Sequence, residues 1–187
     1  MAKNGGNHQI IMAGVGGQGI LFSTKIVSTA AMMKGYDVIG SETHGMSQRG
    51  GSVISHLKIG DFKSPLVRNG DADILFTFEQ SELTRNLPFL EKGGQILLNA
   101  NDKFSLPDSI KETITSQAIT IHTIDANKEA LKLKSPLIAN LVVLGFCSSL
   151  NIIPITGDEF KDAIRAICPE KFLDLNIRAF EAGYGTE

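Results

Sequence analysis

Apolar positions along this chain follow two rhythms, and the switches between them mark the elements. Gln9–Ala13 is a short apolar run that reads as a buried strand and leads straight into Gly14. After the glycines, Ile20, Val27, Ala30 and Ala31 mark one side of a helix, which Gly35 is suited to end. Tyr36–Glu42 predicts a second strand, so the opening reads as a βαβ unit. Ser52–Ile59 alternates loosely, with Val53, Leu57 and Ile59 on one face and His56 and Lys58 on the other, and predicts a half-exposed third strand ending at Gly60-Asp61.

The second half continues the alternation. "DILFTFE" (Asp73–Glu79) is a strong strand, Ser81–Leu90 reads as a helix stopped by Gly93-Gly94, and Gln95–Asn99 is the next strand. Ala118–Asp125 supplies one more β-branched strand. Helices follow over Ala126–Leu133, Pro136–Leu150, Gly157–Ile167 and Glu170–Gly183. Phe160, Ile164 and Ile167 share one helical face, as do Leu173, Ile177 and Phe180. Alternating strands and helices predict an α/β fold: a Rossmann-like three-layer α/β/α sandwich with a mostly parallel sheet, in which the adjacent second and third strands can add antiparallel pairing.

Composition narrows this picture. With 187 residues, 42% of them hydrophobic, the chain can bury one sizeable core, and residues 1–187 are read as a single domain. A net charge of -2 with no basic run argues against nucleic acid as a partner. The polar start Met1–His8 and the glycine-broken run after it do not form a signal peptide, and Leu141–Cys147 is far short of the ~20 residues that cross a bilayer. The expectation is a cytoplasmic protein without membrane contact. Cys147 and Cys168 are distant in sequence and read as reduced core thiols; two cysteines cannot hold an iron–sulfur cluster alone.

Candidate chemistry begins with "GVGGQG", where Gly14, Gly16 and Gly19 have the G-x-G-x-x-G spacing and Gly17 is added. In a dinucleotide site such glycines allow a tight turn, a close ligand approach and close helix packing, and an acid such as Glu42 at the end of the second strand holds the ribose. They can equally serve only to pack the first helix on the sheet. Both readings stand at this level. A Walker phosphate loop is excluded, because Ile20 and Leu21 follow Gly19.

"SETHGMSQRGGS" (Ser41–Ser52) is the second cluster. Glu42 and His44 need not point the same way, and no nucleophile elbow accompanies them. A metal site of Glu42, His44 and His56 lacks dense ligand spacing, so ordinary hydrogen-bonded histidines are expected and no metal is predicted. Gln48, Arg49, Gly50 and Gly51 are more informative: a planar guanidinium beside flexible backbone suits bidentate capture of a carboxylate, phosphate or carbonyl. Bracing of a strand end is the competing role.

"GVGGQG", "ETHGMSQRGGSV" and "GDADILFTFEQSELTRNLPFLEKGGQILLN" (Gly70–Asn99), with "IANLVVLG" (Ile138–Gly145) and "NIRAFEAG" (Asn176–Gly183), together resemble the gamma domain of 2-oxoacid:ferredoxin oxidoreductases. The likeness spans nearly the whole chain. Within that family "HGMSQRGG" is similar to the loop of the small subunit, often called beta, of the indolepyruvate enzymes. The resemblance implies a complex in which thiamine diphosphate with Mg2+ attacks a 2-oxoacid, 4Fe-4S clusters carry electrons to ferredoxin, and coenzyme A accepts the acyl group.

It also implies a division of labour. Gly60-Asp61, Gly70-Asp71 and Gly157-Asp158 all lack the third glycine of a thiamine motif, so this chain is expected to bind none of these cofactors alone and to contribute no catalytic residue. By position, Gly14, Gly16, Gly17, Gln18 and Gly19 shape the first turn. Glu42, His44, Gln48, Arg49, Gly50 and Gly51 then face the thiamine- and cluster-bearing subunit or its site. An autonomous NAD- or FAD-binding protein and a plain interaction module are the alternative readings.

Overall fold

The computed structural model describes residues 6–44 and 50–186, with only the backbone of His44 included. Among these residues, six strands form one sheet: β1 (His8–Val15), β2 (Val38–His44), β3 (Ser52–Ile59), β4 (Ala72–Thr77), β5 (Leu90–Asn99) and β6 (Thr120–Ile124). Their order is β2-β3-β1-β4-β5-β6. β1, β4, β5 and β6 are mutually parallel, while β3 runs antiparallel to both β1 and β2. The sheet is therefore mostly parallel with one reversed strand, and the expected α/β architecture holds.

Burial explains the strand sequences. Ile10, Ile11, Met12 and Ala13 of β1 are all inaccessible, because helices cover both faces, and this demands an unbroken apolar run. On one face Ile11, Leu75 and Ile96 pack against α2 (Gln80–Asn86), the 3₁₀ turn Leu87–Phe89 and α3 (Asp108–Ser116). On the other, Ile10, Met12 and Phe76 meet α1 (Ile20–Met33), α4 (Ala126–Lys132), α5 (Ala139–Ser149), α6 (Gly157–Ile167) and α7 (Glu170–Tyr184). No helix among the described residues is long and apolar enough to cross a membrane.

Four expectations need correction. Gly93 and Gly94 do not stop a helix: α2 ends at Asn86, and both glycines lie inside β5, which begins at Leu90. β3 is not half exposed: lying between β1 and β2, it buries His56 and Lys58 as well as Leu57 and Ile59. β1 and β2 belong to a β-α-β segment but are not neighbours, since β3 occupies the place between them. Of the two thiols, Cys147 lies in the core but Cys168 is only half-buried, accepting from Asn176 Nδ2 at 2.9 Å. α3 gave no clear signal because Ile110 and Ile114 are its only apolar residues, amid serine and threonine of modest helix propensity.

α5 is buried along most of its length and seats against α7 at two glycines. A Cβ on Gly145 would collide with the Phe180 carbonyl, and one on Gly183 with the Val142 carbonyl. Reciprocal small residues thus bring the two backbones into contact. α6 is fixed at its start by a capping box between Thr156 and Glu159, and Glu159 also receives Lys34 Nζ from the end of α1 at 3.0 Å.

Candidate functional site

The chain leaves β1 for β2 on one side of the sheet, while β4 lies against β1 on the other. The carboxyl ends of β1 and β4 therefore flank the place where the winding changes direction, the usual position for a binding crevice in such sheets. Two segments meet there: the Gly14–Gly19 turn and the Phe78–Gln80 link that leads into α2.

The turn is self-satisfying. Gln18 Oε1 accepts the Val15 amide at 2.8 Å, Gln18 Nε2 donates to Glu79 Oε2 at 2.9 Å, and the Gln18 amide donates to the Val15 carbonyl at 3.1 Å. Gly19 ends the turn with φ of 75°, and a Cβ there would lie 2.6 Å from Asn140 Nδ2. Glycine is needed on both counts. Asn140 uses that space to bond the Gly19 carbonyl and Ser23 Oγ, tying α5 to the start of α1. Gly14 faces Ile20, Gln18 and Phe78 with no room for a side chain, whereas Gly17 is exposed at the apex.

The end of the second cluster joins this turn directly. The Gly16 amide donates to the Gly51 carbonyl at 2.9 Å. Ser52, the first residue of β3, donates through Oγ to Glu82 Oε2 at 2.7 Å. Glu82 and Glu79 stand on the same β4–α2 stretch, so each carboxylate secures one of the two loops. Gln48 and Arg49 lie outside the described residues, immediately before this join.

The remaining predicted residues do not converge here. Glu42 is exposed on β2 opposite Ser55, and His44 lies two residues on, opposite Val53. His56 is buried on the other face of β3, where Nδ1 accepts the Val67 amide at 3.2 Å and the ring meets Phe89 edge-on at 5.4 Å. Burial, reinforced by the Lys58 ammonium, holds its pKa below the ordinary histidine value. It is the ordinary hydrogen-bonded histidine expected, and it shares no face with Glu42.

The same geometry speaks against a dinucleotide site. Glu42 is on the edge strand, two strand spacings or about 10 Å from β1, because β3 intervenes. Three turn amides, those of Val15, Gly16 and Gln18, are already taken by protein acceptors. Little of the donor array that would cradle a pyrophosphate is left. Gly14 and Gly19 serve packing, while Gly17 and Gln18 face a cleft of about 220 Å³ shared with Phe78, Asn99, Leu137 and Asn140. Asn99 is committed as well, bonding the Phe78 carbonyl and the first amide of α4. Leu137 at the rim is 79% exposed, a high value for leucine.

The residues present do not fit the cofactors of the resemblance. The two cysteines lie on or beside different helices, and burial pushes the Cys147 thiol far up, which disfavours the thiolate a cluster needs. Asp61 and Asp158, the acids of two Gly-Asp pairs, face Lys63 and Lys161 in their own turns. Among the described residues the site offers backbone, amide and apolar surface, and no nucleophile–base pair.

Glu79, Glu82, Ser52 and Asn140 were not singled out in the sequence. Glu82 and Asn86 repeat at i and i+4 beside the buried Leu83 and Leu87, a pattern that suggests a helix face but not a link to β3.

Residues 9–186 match the family described as pyruvate ferredoxin/flavodoxin oxidoreductase. The chain is 34% identical to indolepyruvate oxidoreductase subunit IorB of Methanothermobacter thermautotrophicus, covering 96% of this chain and 97% of the relative. It is 35% identical to the IorB subunit of Archaeoglobus fulgidus, covering 94% and 92%. Its fold is similar to the keto/oxoacid ferredoxin oxidoreductase gamma subunit from Geobacter sulfurreducens PCA, with a TM-score of 0.76 at 24% identity over 95% of this chain and 96% of that one.

Proposed function

Because the chain belongs to the pyruvate ferredoxin/flavodoxin oxidoreductase family, we propose that it is the non-catalytic, gamma-type subunit of a 2-oxoacid:ferredoxin oxidoreductase, with an arylpyruvate such as indolepyruvate as substrate. The observation that carries this reading is the match to IorB subunits over nearly their full length.

Within such a complex, thiamine diphosphate with Mg2+ and iron–sulfur clusters supply decarboxylation and electron transfer to ferredoxin, and coenzyme A takes the acyl group. The poor fit of this chain's cysteines and aspartates supports placing those groups on the partner subunits. This chain contributes a rim. Gly16, Gly17 and Gln18, with Gly50 and Gly51, line one edge at the carboxyl ends of β1 and β4, joined by the Gly16–Gly51 hydrogen bond, and exposed Leu137 extends it with apolar surface. That edge faces the thiamine-bearing subunit. Gln48 and Arg49 enter it from the adjoining segment and contact the partner's backbone or the anionic groups of a coenzyme, for which a guanidinium fork is suited. Gly14 and Gly19 support the edge from behind, and Glu42 and His44 on β2 lie at its outer flank. The free thiols fit a reducing, cytoplasmic setting.

The test is reconstitution. The chain is purified alone and together with a partner that carries a Gly-Asp-Gly motif and clustered cysteines, and indolepyruvate- and coenzyme A-dependent reduction of ferredoxin or a viologen dye is measured. Activity only in the complex is the expected result. Activity or stoichiometric NAD or FAD binding by the isolated chain overturns the reading.

A further inference from the structure

The carboxylate of Glu82 is the least expected group near the rim. Its side chain is 3% exposed, in the first turn of a short helix whose other buried residues are the apolar Leu83 and the amide Asn86. Oε2 accepts Ser52 Oγ at 2.7 Å and Asn86 Nδ2 at 3.2 Å, and Oε1 accepts Arg85 Nη1 at 3.2 Å. Burying a carboxylate, even a paired one, stabilises a fold no better than an apolar side chain of similar volume. Asn86 belongs to the same cluster, its Nδ2 donating to the Glu82 carbonyl at 2.8 Å as well as to Oε2.

What the cluster does achieve is a link. Ser52 is held by Glu82, and the carbonyl of the preceding residue, Gly51, accepts the Gly16 amide. Glu82 on α2 thereby sets where the first residue of β3 lies, and through it where the Gly50–Gly51 backbone meets the glycine turn. Glu79, three residues earlier, holds Gln18 of that turn. The β4–α2 stretch thus places both halves of the rim by two separate carboxylates.

We propose that Glu82 is a positioning residue for the oxidoreductase reaction: acting through Ser52, it fixes the Gly50–Gly51 backbone against the Gly16 amide in the arrangement that the partner's active site requires. This rests on the subunit reading above. Glu82 touches neither substrate nor cofactor, so its effect is on turnover in the assembled complex and on the integrity of the Gly16–Gly51 bond.

Three variants, Glu82→Leu, Glu82→Gln and Ser52→Ala, test it by two readouts. In the isolated chain, amide exchange at Gly16 is expected to quicken about tenfold in Glu82→Leu and Ser52→Ala while β4 amides keep their protection; Glu82→Gln, which can still accept from Ser52, stays near wild type. In the complex with saturating partner subunit, kcat is expected to fall about tenfold in Glu82→Leu and Ser52→Ala with little change in KM, and Glu82→Gln is expected to retain most activity. Unchanged Gly16 exchange in Glu82→Leu overturns the proposal, and so does a turnover loss that excess partner abolishes or that Glu82→Gln repeats in full. An inactive wild-type complex instead counts against the subunit reading, and the exchange readout still decides the role of Glu82.

Discussion

The Gly16 amide and the Gly51 carbonyl share a 2.9 Å hydrogen bond, and this one contact joins two motifs that lie 35 residues apart into a single edge. Joined, they present a strip of backbone and amide groups at the carboxyl side of the sheet, the edge proposed above to meet the partner subunit.

Gln18 should matter to stability first. Replacing it with alanine removes the acceptor of the Val15 amide and the donor to Glu79, and about 1–2 kcal/mol is expected to be lost in urea unfolding. Gln18→Glu keeps the acceptor but sets a second carboxylate against Glu79. It should be the more damaging change near neutral pH, and its deficit should shrink when the pair shares a proton at acid pH.

Gly19→Ala meets two obstacles, the left-handed backbone and the amide of Asn140. About 2–3 kcal/mol of destabilisation is expected by thermal unfolding. Adding Asn140→Ala should recover part of this by removing the clash and leave the backbone part. If the double variant is no more stable than the sum of the singles predicts, Asn140 is not the obstacle.

Gly145→Ala should be more severe still, because the added methyl meets the backbone of α7 rather than a side chain that can turn away. At least about 3 kcal/mol is expected, with α7 loosened first and detectable as lost amide protection over Glu170–Tyr184.

Burial holds the pKa of both His56 and His122 below the ordinary value, His56 being further lowered by Lys58. The unfolded chain therefore takes up protons at higher pH than the folded one. The stability these residues contribute is present above about pH 6.5 and is lost as pH falls through that value toward the depressed folded pKa. Guanidinium midpoints measured across this range should decline on acidification, and His56→Gln should flatten the decline. A midpoint that rises on acidification contradicts the assignment.

Arg49→Ala should leave unfolding of the isolated chain nearly unchanged and lower turnover or thiamine affinity in the complex about tenfold, with Arg49→Lys recovering only part because it lacks the planar fork. Unchanged assembly, thiamine affinity and turnover would remove Arg49 from the partner-facing surface.

Much of the fold is written in short-range periodicity. The bounds of β3 and α6 follow from it residue for residue, and the buried faces of α6 and α7 from the spacing of Phe160, Ile164 and Phe180. What local pattern cannot express is who lies beside whom. His56 and Lys58 look solvent-facing in an alternating strand and are buried because β3 is inserted between β1 and β2. For the same reason Glu42 fits a ribose-binding acid by sequence distance and misses it by strand order. Glu82 shows the converse: nothing within its own helix announces a partner 30 residues upstream, so its role becomes visible only when Ser52 is in place.

The reversed strand has a further consequence for how the molecule is assembled. β2 and β3 follow one another in sequence and pair antiparallel, Val38–His44 against Val53–Ile59. The segment that carries the proposed recognition residues therefore also links two paired strands. Its closure is local, whereas the β1–β4 pairing must bring together residues about 60 apart, so this strand pair is the piece of sheet with the lowest entropic barrier to early formation. Insertions in this segment would register in the refolding rate as well as in the complex, and its length is constrained by two separate requirements on one stretch of chain.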